Sequence, residues 1–261
     1  KKIICLIFPM SKNIIKSPIV YSIYGINNCH NFLLYNSTYL LKSIFIDKNS
    51  KVLKDSKFES LINKFTATVV LLNSNDFNNK FSFKHTQGII IEFSGDLYSE
   101  LHDIKDLKDN HCILIADQIS DPQNLGQILR TSECAGIDGI ILPQHRSVHL
   151  TNTVLQISQG AFMHTSIFIE TNIVSSIEFL KSKGFWIVGL ENSINSKQWY
   201  DIDYKGKIAI VVGSEGYGIR ELVKKSCDFL ATIEMNGKIN SLNVSAAVSA
   251  ILFERQRQLV N

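Results

Sequence analysis

The chain has 261 residues, of which 45% are hydrophobic, so it can bury one large core or two modest ones. The formal net charge is +3, but residues 1–108 carry +5 and residues 109–261 carry −2. The first part therefore suits contact with a polyanion, and the second favours an enzyme-like body. Lysine outnumbers arginine 22 to 5, a bias that we attribute to an AT-rich genome rather than to function. The apolar runs are shorter than the about 18 residues of a membrane-spanning helix, so we expect no membrane partner.

The cysteine and histidine patterns do not match the common metal sites. No two of the five cysteines form a CxxC pair, which predicts reduced thiols rather than zinc ligands or disulfides. His145 and His149 stand four apart in "HRSVH" without a neighbouring Glu, so we expect no metal there. The N-terminal "KKIICLIFPMSK" resembles a signal peptide only faintly, because it lacks a small-residue cleavage site. We expect a cytoplasmic protein, or an organelle-matrix protein if a targeting segment lies upstream.

The sequence predicts two α/β segments. In residues 20–95, short apolar stretches such as "SIFID", "ATVVLL" and "GIIIEF" alternate with helical stretches, which indicates a small α/β domain. Residues 96–110 are polar and charged and form the predicted linker. In residues 111–261 the strands are continuously apolar, as in "HCILIAD", "FWIVGL" and "KIAIVV", and helical stretches separate them. Such strands favour a mostly parallel sheet with helices on both faces.

The usual nucleotide-binding and nucleophile motifs are missing from the sequence. The first strand-to-helix turn of the second segment reads "DQISDPQNLG", which is neither GxGxxG nor a Walker motif. Dehydrogenases, kinases and the common Rossmann-type methyltransferases are therefore poor matches. No GxSxG elbow supports an acyl-transfer serine. We expect chemistry that needs no covalent intermediate.

The stretch "SDPQNLGQILRTSECAG" predicts an amphipathic helix that is capped by Asp121. One predicted face is apolar and contains Leu125, Ile128 and Leu129. The opposite face is polar and contains Gln123, Gln127 and Arg130. Taken alone, this pattern favours a solvated helix face for Arg130, and any functional role depends on the two segments that follow.

Two later segments place glycine and small polar residues at the ends of elements. In "VVGSEGYGIREL" a buried strand enters a loop rich in glycine, which suits either close approach to a ligand or a tight turn. In "IEMNGKINSLNVSAAVSAILFERQRQ" a loop leads to Ser241, the predicted N-cap of a final helix whose small residues suit close helix packing or a dimer contact. Asn243 in its predicted first turn lies beside free N–H groups, where it either binds polar ligand atoms or caps the helix.

Together these three segments resemble the SpoU, or TrmH-like, branch of the SPOUT RNA 2'-O-ribose methyltransferases. The resemblance extends over residues 111–258 and includes the three family motifs in order. Their matching residues are Asn124, Gly126, Arg130 and Gly136 in the first; Gly213, Glu215, Gly216 and Gly218 in the second; and Ser241, Leu242, Asn243, Val244 and Ser245 in the third. In residues 20–95, "YGINNCHNFL" and "HTQGIIIEF" are similar to the small L30e-like RNA-binding domain of the rRNA guanosine methyltransferase subgroup. Two positions depart from the family pattern: Asn27-Asn28-Cys29 replaces His-Ala-Val, and Glu234 replaces a Pro.

The resemblance implies a fold, a cofactor and a site. The C-terminal domain would be a trefoil-knotted, mostly parallel sheet that holds S-adenosylmethionine in its knot loops without a metal. The implied cofactor-binding residues are Gly213, Gly216, Gly218, Ile233 and Leu242. The implied catalytic residues are Asn124, Arg130, Glu215, Ser241 and Asn243. Because a guanidinium stays protonated in proteins, we interpret Arg130 as a group that holds RNA phosphate and the developing oxyanion.

Two hypotheses about function follow. The first is a homodimeric S-adenosylmethionine-dependent 2'-O-methyltransferase that acts on a guanosine of large-subunit rRNA, with tRNA as the near variant. The second is a catalytically silent RNA-binding or ribosome-assembly protein that keeps the fold. The intact Arg130, Glu215 and Asn243 favour the first hypothesis, and the Asn27-Asn28-Cys29 departure keeps the second open.

Overall fold

The structure is a computed structural model, and it describes residues 19–81, 85–104, 108–192 and 196–260. The N-terminal stretch "KKIICLIFPMSK" and Cys5 lie outside the described residues. The strands are β1 (Val20–Tyr24), β2 (Leu40–Asp47), β3 (Val69–Leu72), β4 (Ile89–Ser94), β5 (Cys112–Ala116), β6 (Gly139–Pro143), β7 (Ser166–Glu170), β8 (Trp186–Leu190), β9 (Lys197–Gln198), β10 (Ile208–Val212) and β11 (Phe229–Thr232). The α-helices are α1 (Ile26–Tyr35), α2 (Ser56–Ile62), α3 (Ser74–Lys80), α4 (Pro122–Cys134), α5 (Asn152–Ile157), α6 (Ile173–Ser182), α7 (Glu221–Lys225) and α8 (Val244–Val260).

The strands form two sheets. The first has the order β1-β4-β2-β3, in which β4 runs antiparallel to β1 and β2 while β2 and β3 are parallel. The second has the order β7-β6-β5-β10-β8-β11-β9, and all of its neighbouring pairs are parallel. The α/β class and the mostly parallel second sheet are therefore as predicted.

The apolar runs form the second sheet because it is covered on both faces. In β5, Cys112, Leu114 and Ala116 belong to the core on one face, whereas Ile113 and Ile115 belong to the core on the other. Every residue of β5 and of β10 is buried. Side chains alternate between the faces of a strand, so a strand that is buried on both sides must be apolar at every position.

Two glycines of the first motif have structural roles. A Cβ at Gly126 would lie 2.6 Å from the side chain of Ile157, so glycine allows α4 to pack closely on α5. Gly136 has φ +63° just after the C-terminus of α4, where glycine commonly ends a helix in the left-handed conformation. These two motif residues therefore need no ligand to explain them.

The segment predicted as a linker packs against the second sheet. Leu97 and Leu101 are buried, and the Ser99 N–H donates to the Ile167 carbonyl at 2.8 Å. Ser99 also forms an isolated parallel bridge with Phe168, on the outer side of β7. Although the composition of residues 96–110 is polar, its few apolar residues fix its described part to the sheet edge.

The two sheets are joined through one side of α5. The Tyr24 N–H donates to Gln156 Oε1 at 2.9 Å, and Gln156 Nε2 donates to the Tyr24 carbonyl at 2.8 Å. The Ser22 N–H donates to Asn152 Oδ1 at 3.1 Å. Phe93 stacks on Phe162 with ring centroids 5.8 Å apart, and one hydrophobic cluster includes buried residues of both sheets. The joint therefore combines hydrogen bonds from α5 side chains to the β1 backbone with a shared apolar core.

The final helix begins later than predicted. It starts at Val244 rather than after Ser241, and Asn243 Oδ1 accepts the Ser245 N–H at 2.9 Å. Asn243 is therefore the capping residue, and the prediction that Ser241 caps this helix was wrong. Similarly, the short helix expected from Ile219 starts at Glu221. In both places the sequence pattern of the helix extends two or three residues into the preceding loop, where the backbone is not helical.

Candidate ligand cavity and interdomain cleft

A cavity of about 730 Å³ lies at the carboxyl ends of β8, β10 and β11. Its walls come from three loops, each of which follows one of these strands. They contain Glu191, the glycine-rich loop 213–218, and Ile233 with residues 240–243. In parallel sheets the carboxyl ends of neighbouring strands are the usual place for ligands.

The glycine-rich loop folds tightly upon itself. The Ser214 and Gly218 backbones exchange two hydrogen bonds, at 3.2 and 2.9 Å. A Cβ at Gly213 would lie 2.0 Å from the Gly218 carbonyl carbon and 2.3 Å from the Ile219 nitrogen. Only glycine fits at position 213, because the obstructing atoms belong to the backbone.

Two carboxylates hold the far side of this loop, and they lie at the ends of β5 and β8, the two strands that flank β10. Asp117 is fully buried at the end of β5, and its oxygens accept from the Arg220 N–H at 3.1 Å and from Arg220 Nε at 2.9 Å. Arg220 Nη2 lies 2.6 Å from Asp117 Oδ1. Glu191 Oε2 accepts the Ile219 N–H at 3.2 Å. Charge-assisted bonds of this kind fix the loop's position relative to the sheet.

Three polar residues of the three motifs meet beside the cavity. Glu215 Oε1 accepts from Asn243 Nδ2 at 2.7 Å and from Asn124 Nδ2 at 3.1 Å. Asn243 Nδ2 also lies 2.9 Å from Asn124 Oδ1. We call Asn124, Glu215 and Asn243 the amide–carboxylate cluster. Its carboxylate accepts two amide donors, so it orients both amide groups.

A second set of bonds fixes Asn243 from α8. The Ser245 hydroxyl lies within hydrogen-bonding distance of Asn243 Oδ1 and 3.0 Å from Gln127 Oε1. A hydroxyl has one proton, so it donates to one of these oxygens at a time. This contact links the exposed face of α4 to the start of α8.

Arg130 lies in a different depression. A cleft of about 680 Å³, which we call the interdomain cleft, lies between α1 and the end of α4. It is lined by Arg130 and His164, together with Asn27, His30 and Asn31 of α1. Arg130 is six residues beyond Asn124, which places it about 9 Å further along the helix axis. The polar face predicted for α4 is present, because Gln123, Gln127 and Arg130 are all exposed.

The predicted site residues are thus divided between two places. The five predicted cofactor-binding residues line the cavity, as do Ser241, Glu215 and Asn243. Asn124 is buried behind Glu215, and Arg130 lines the interdomain cleft. The sequence analysis predicted no role for Asp117, Glu191 or Arg220. The only signal was that Asp117 and Glu191 directly follow a strand and that Arg220 follows the glycine-rich loop.

The thiols and histidines show no metal-binding arrangement. Among the residues that the structure describes, no group of three His, Cys, Asp or Glu side chains could hold a metal ion. The four described cysteines are free, and burial raises the pKa of Cys112 and of Cys227 to about 12. Burial lowers the pKa of His111, whose Nδ1 lies 3.9 Å from Asp138 Oδ2. In the described ranges, no helix combines the length and apolarity needed to cross a membrane.

The fold and the cavity define an α/β protein with a ligand-sized cavity between the loops at the carboxyl ends of a parallel sheet. Residues 111–253 match the model of the SpoU rRNA Methylase family, which is more than half of the chain. The chain therefore belongs to this family, and the family resemblance predicted from the three motifs is confirmed.

Relatives in sequence agree with this assignment, and solved structures share the fold. A putative TrmH family tRNA/rRNA methyltransferase of Staphylococcus saprophyticus is 47% identical over 142 residues. That match covers 54% of this chain and 57% of the relative. The AdoMet-bound rRNA methyltransferase of Sinorhizobium meliloti superimposes with a TM-score of 0.78 at 23% identity, covering 93% of this chain and 88% of that one. The SpoU methyltransferase AviRb of Streptomyces viridochromogenes, in complex with AdoMet, gives 0.77 at 16% identity over 92% and 91%.

Proposed function

We propose that the chain transfers a methyl group from S-adenosylmethionine to a ribose 2'-OH of RNA, and that the acceptor is a guanosine of large-subunit rRNA. The observation that carries this proposal is the amide–carboxylate cluster, which brings together one residue from each of the three motifs at the wall of the cavity. Family membership and the AdoMet-bound structural neighbours support the same cofactor.

The cavity suits this cofactor. The glycine at position 213 lets the loop fold closely onto its own backbone at the cavity wall, and Ile233 and Leu242 add apolar surface. Its volume lies within the range of about 300–1,000 Å³ that is usual for small-molecule sites. When bound, S-adenosylmethionine supplies a methyl group that is already activated by a sulfonium. Residues 213–218, 233 and 242 would hold its adenosyl portion.

The chain's own residues then have to align a ribose hydroxyl. Positioning two reactants can supply a large part of a rate enhancement when the donor is already activated. Asn124 and Asn243 are oriented by Glu215, so we assign them to shaping the acceptor side of the cavity. Arg130 cannot act as a base, because its guanidinium stays protonated. It lines the cleft between α1 and α4 and not the cavity, so we assign it to an RNA phosphate rather than to the developing oxyanion.

The interdomain cleft supports an RNA path between the two sheets. Arg130 from α4 faces Asn27, His30 and Asn31 from α1 across this cleft. A phosphate held by Arg130 would lie next to amide groups that can hydrogen-bond to base edges. The departure Asn27-Asn28-Cys29 therefore falls partly in a place that can alter RNA selection.

Four further features belong to this proposal. They are the trefoil knot of the second sheet, the L30e-like character of residues 20–95, a homodimer and a cytoplasmic location. The homodimer is supported by an exposed stripe on α8 that contains Ala246, Phe253 and Val260. Light scattering that shows a monomer at assay concentrations would argue against it.

The decisive experiment measures transfer of labelled methyl from S-adenosylmethionine to total rRNA and tRNA from an undermodified strain. We expect 2'-O-methylguanosine in large-subunit rRNA. Label in tRNA would keep the chemistry and change the substrate. If the chain binds the cofactor and RNA but transfers nothing, it is a silent RNA-binding protein, and the proposal is wrong.

Arg130→Ala tests the assignment of that residue. We expect this variant to keep its affinity for S-adenosylmethionine, because Arg130 does not line the cavity, and to lose most methyl transfer. Gln123→Ala, on the same exposed face of α4, is the control. Turnover close to that of the wild type in Arg130→Ala would refute the assignment.

A further inference from the structure

An aromatic surface with lysines on one side lies at the amino ends of β8 and β11. Trp186 is the first residue of β8 and is 59% exposed. Phe229, the first residue of β11, packs against it with ring centroids 5.6 Å apart. The cavity lies at the opposite ends of these strands, about 13 Å away for a five-residue strand. This surface, which we call the Trp186 platform, is therefore separate from the cavity.

Lysines lie on one side of the two rings. Lys197 Nζ lies 5.0 Å from the centre of the Phe229 ring. Lys197 and Phe229 also line a cleft of about 340 Å³, together with Lys224 and Lys225. Lys183 does not belong to this surface, because its Nζ lies 5.4 Å from the centre of the Phe179 ring, which packs on the core of the other face of the sheet.

These lysines are only partly neutralised. Asp228 pairs with Lys181 at 2.6 Å, and Glu221 pairs with both Lys224 and Lys225. Within the described part of the chain, no carboxylate forms an ion pair with Lys197. Its ammonium group is therefore available to a phosphate, although residues 109–261 together carry −2.

An exposed indole beside a lysine that forms no ion pair matches the chemistry of nucleic-acid binding. Bases stack on aromatic rings, and an ammonium group meets the phosphates of the same strand. A protein partner would instead favour an apolar patch with few lysines, because lysine is depleted from protein interfaces. The Trp186 side chain is also too exposed to be explained as core packing.

We propose that the Trp186 platform binds a single-stranded segment of RNA, with one base stacked on Trp186 and a phosphate of the same strand beside Lys197. The inference rests on the proposed function in one respect, namely that this segment belongs to the substrate RNA. It adds an RNA contact on the second sheet that is distinct from the interdomain cleft.

The chain contains two tryptophans, so Trp199→Phe leaves Trp186 as the only indole. The substitution is mild, because the Tyr204 hydroxyl donates to the backbone carbonyl of residue 199 and not to its ring. We expect a short oligouridylate to quench the fluorescence of this variant in a saturable way at low salt. A quench that is absent, or equally strong with a duplex of the same length, would overturn the inference.

Affinity measurements give a second readout. In the otherwise wild-type chain, Trp186→Ala should weaken oligouridylate binding by about fivefold to 150-fold, the range expected for loss of one stacked base. Trp186→Phe should retain most of the affinity, because it keeps an aromatic face. Lys197→Gln should reduce the slope of log affinity against log salt by about 1. Equal affinity of Trp186→Ala and the wild type would contradict the proposal.

The same variants separate this inference from the proposed function. If the wild type methylates RNA and Trp186→Ala does so with an unchanged KM, the platform inference fails while the function stands. If oligouridylate binds through Trp186 but no RNA accepts a methyl group, the platform stands and the function fails.

Discussion

Replacing Gly213 by alanine is the sharpest test of the cavity. The added Cβ would lie 2.0 Å from the Gly218 carbonyl carbon, 2.2 Å from its oxygen and 2.3 Å from the Ile219 nitrogen. Contacting carbon atoms are about 3.5 Å apart, so the loop would have to move by about 1.5 Å. All three atoms are backbone atoms, so no side-chain rotation can relieve the contact.

The movement should be costly because the loop is held at both ends. It would disrupt the paired backbones of Ser214 and Gly218, and it would pull Arg220 away from the buried Asp117. A displacement of about 1 Å can cost about 100-fold in rate when it misplaces a reacting group. We therefore expect Gly213→Ala to lose S-adenosylmethionine binding by at least about tenfold and methyl transfer by about 100-fold.

Isothermal calorimetry with S-adenosylmethionine is the direct assay, and thermal unfolding shows whether the variant is folded. Gly237→Ala is a matched control, because it lies in the neighbouring loop and a Cβ there meets nothing within 4 Å. A folded Gly213→Ala that binds the cofactor as tightly as the control would refute the argument that the tight fold of residues 213–218 shapes the cofactor wall.

Three further predictions concern single contacts. Glu215→Ala removes the shared acceptor of two amide groups, of which only that of Asn124 is buried. An unsatisfied buried donor costs about 1–3 kcal/mol, so we expect methyl transfer to fall by about tenfold or more. An unchanged kcat would contradict this role. Burial lowers the pKa of His111 below its ordinary value of 6.5, so the unfolded chain binds more protons as the pH falls. Stability should therefore decrease when the pH falls through 6.5 towards the lowered pKa, and His111→Gln should show a smaller decrease in Tm over this window than the control His145→Gln. Gln156→Ala should speed hydrogen exchange of the Tyr24 backbone amide, because this amide donates to Gln156 Oε1 at 2.9 Å. Unchanged exchange would show that this bond does not protect the strand.

The strands were predictable because their apolar runs are long enough to be buried on both faces. β7 was predicted with its observed bounds, and β5 and β10 differ by one residue at one or both ends. By contrast, α3 and β9 were not predicted. α3 has a single buried apolar residue, Phe77, so its sequence shows no repeating apolar positions that would indicate a helix. Its first turn is capped by the Asn73 side chain.

The loops that form the site were predictable from the sequence, but the contacts that hold these loops in place were not. Three glycine-containing motifs indicated which segments converge, and the cluster of Asn124, Glu215 and Asn243 shows that they do. The pairing of Asp117 with Arg220 joins residues 103 positions apart, and nothing local in the sequence marks it. The separation of Arg130 from the cavity was also hidden, because one helical face can serve two different depressions along its length.

The joint at Gln156 has a consequence for dividing the protein into fragments. β1 is an outer strand of the first sheet, and the side chains of Asn152 and Gln156 occupy hydrogen-bonding groups along its free side. A fragment that ended near residue 95 would uncover those groups and also expose the Phe93 ring to water. Unpaired outer strands recruit other strands, so such a fragment would tend to self-associate. RNA-binding measurements on the isolated first sheet would then describe an aggregate, and the intact chain is the proper unit of study.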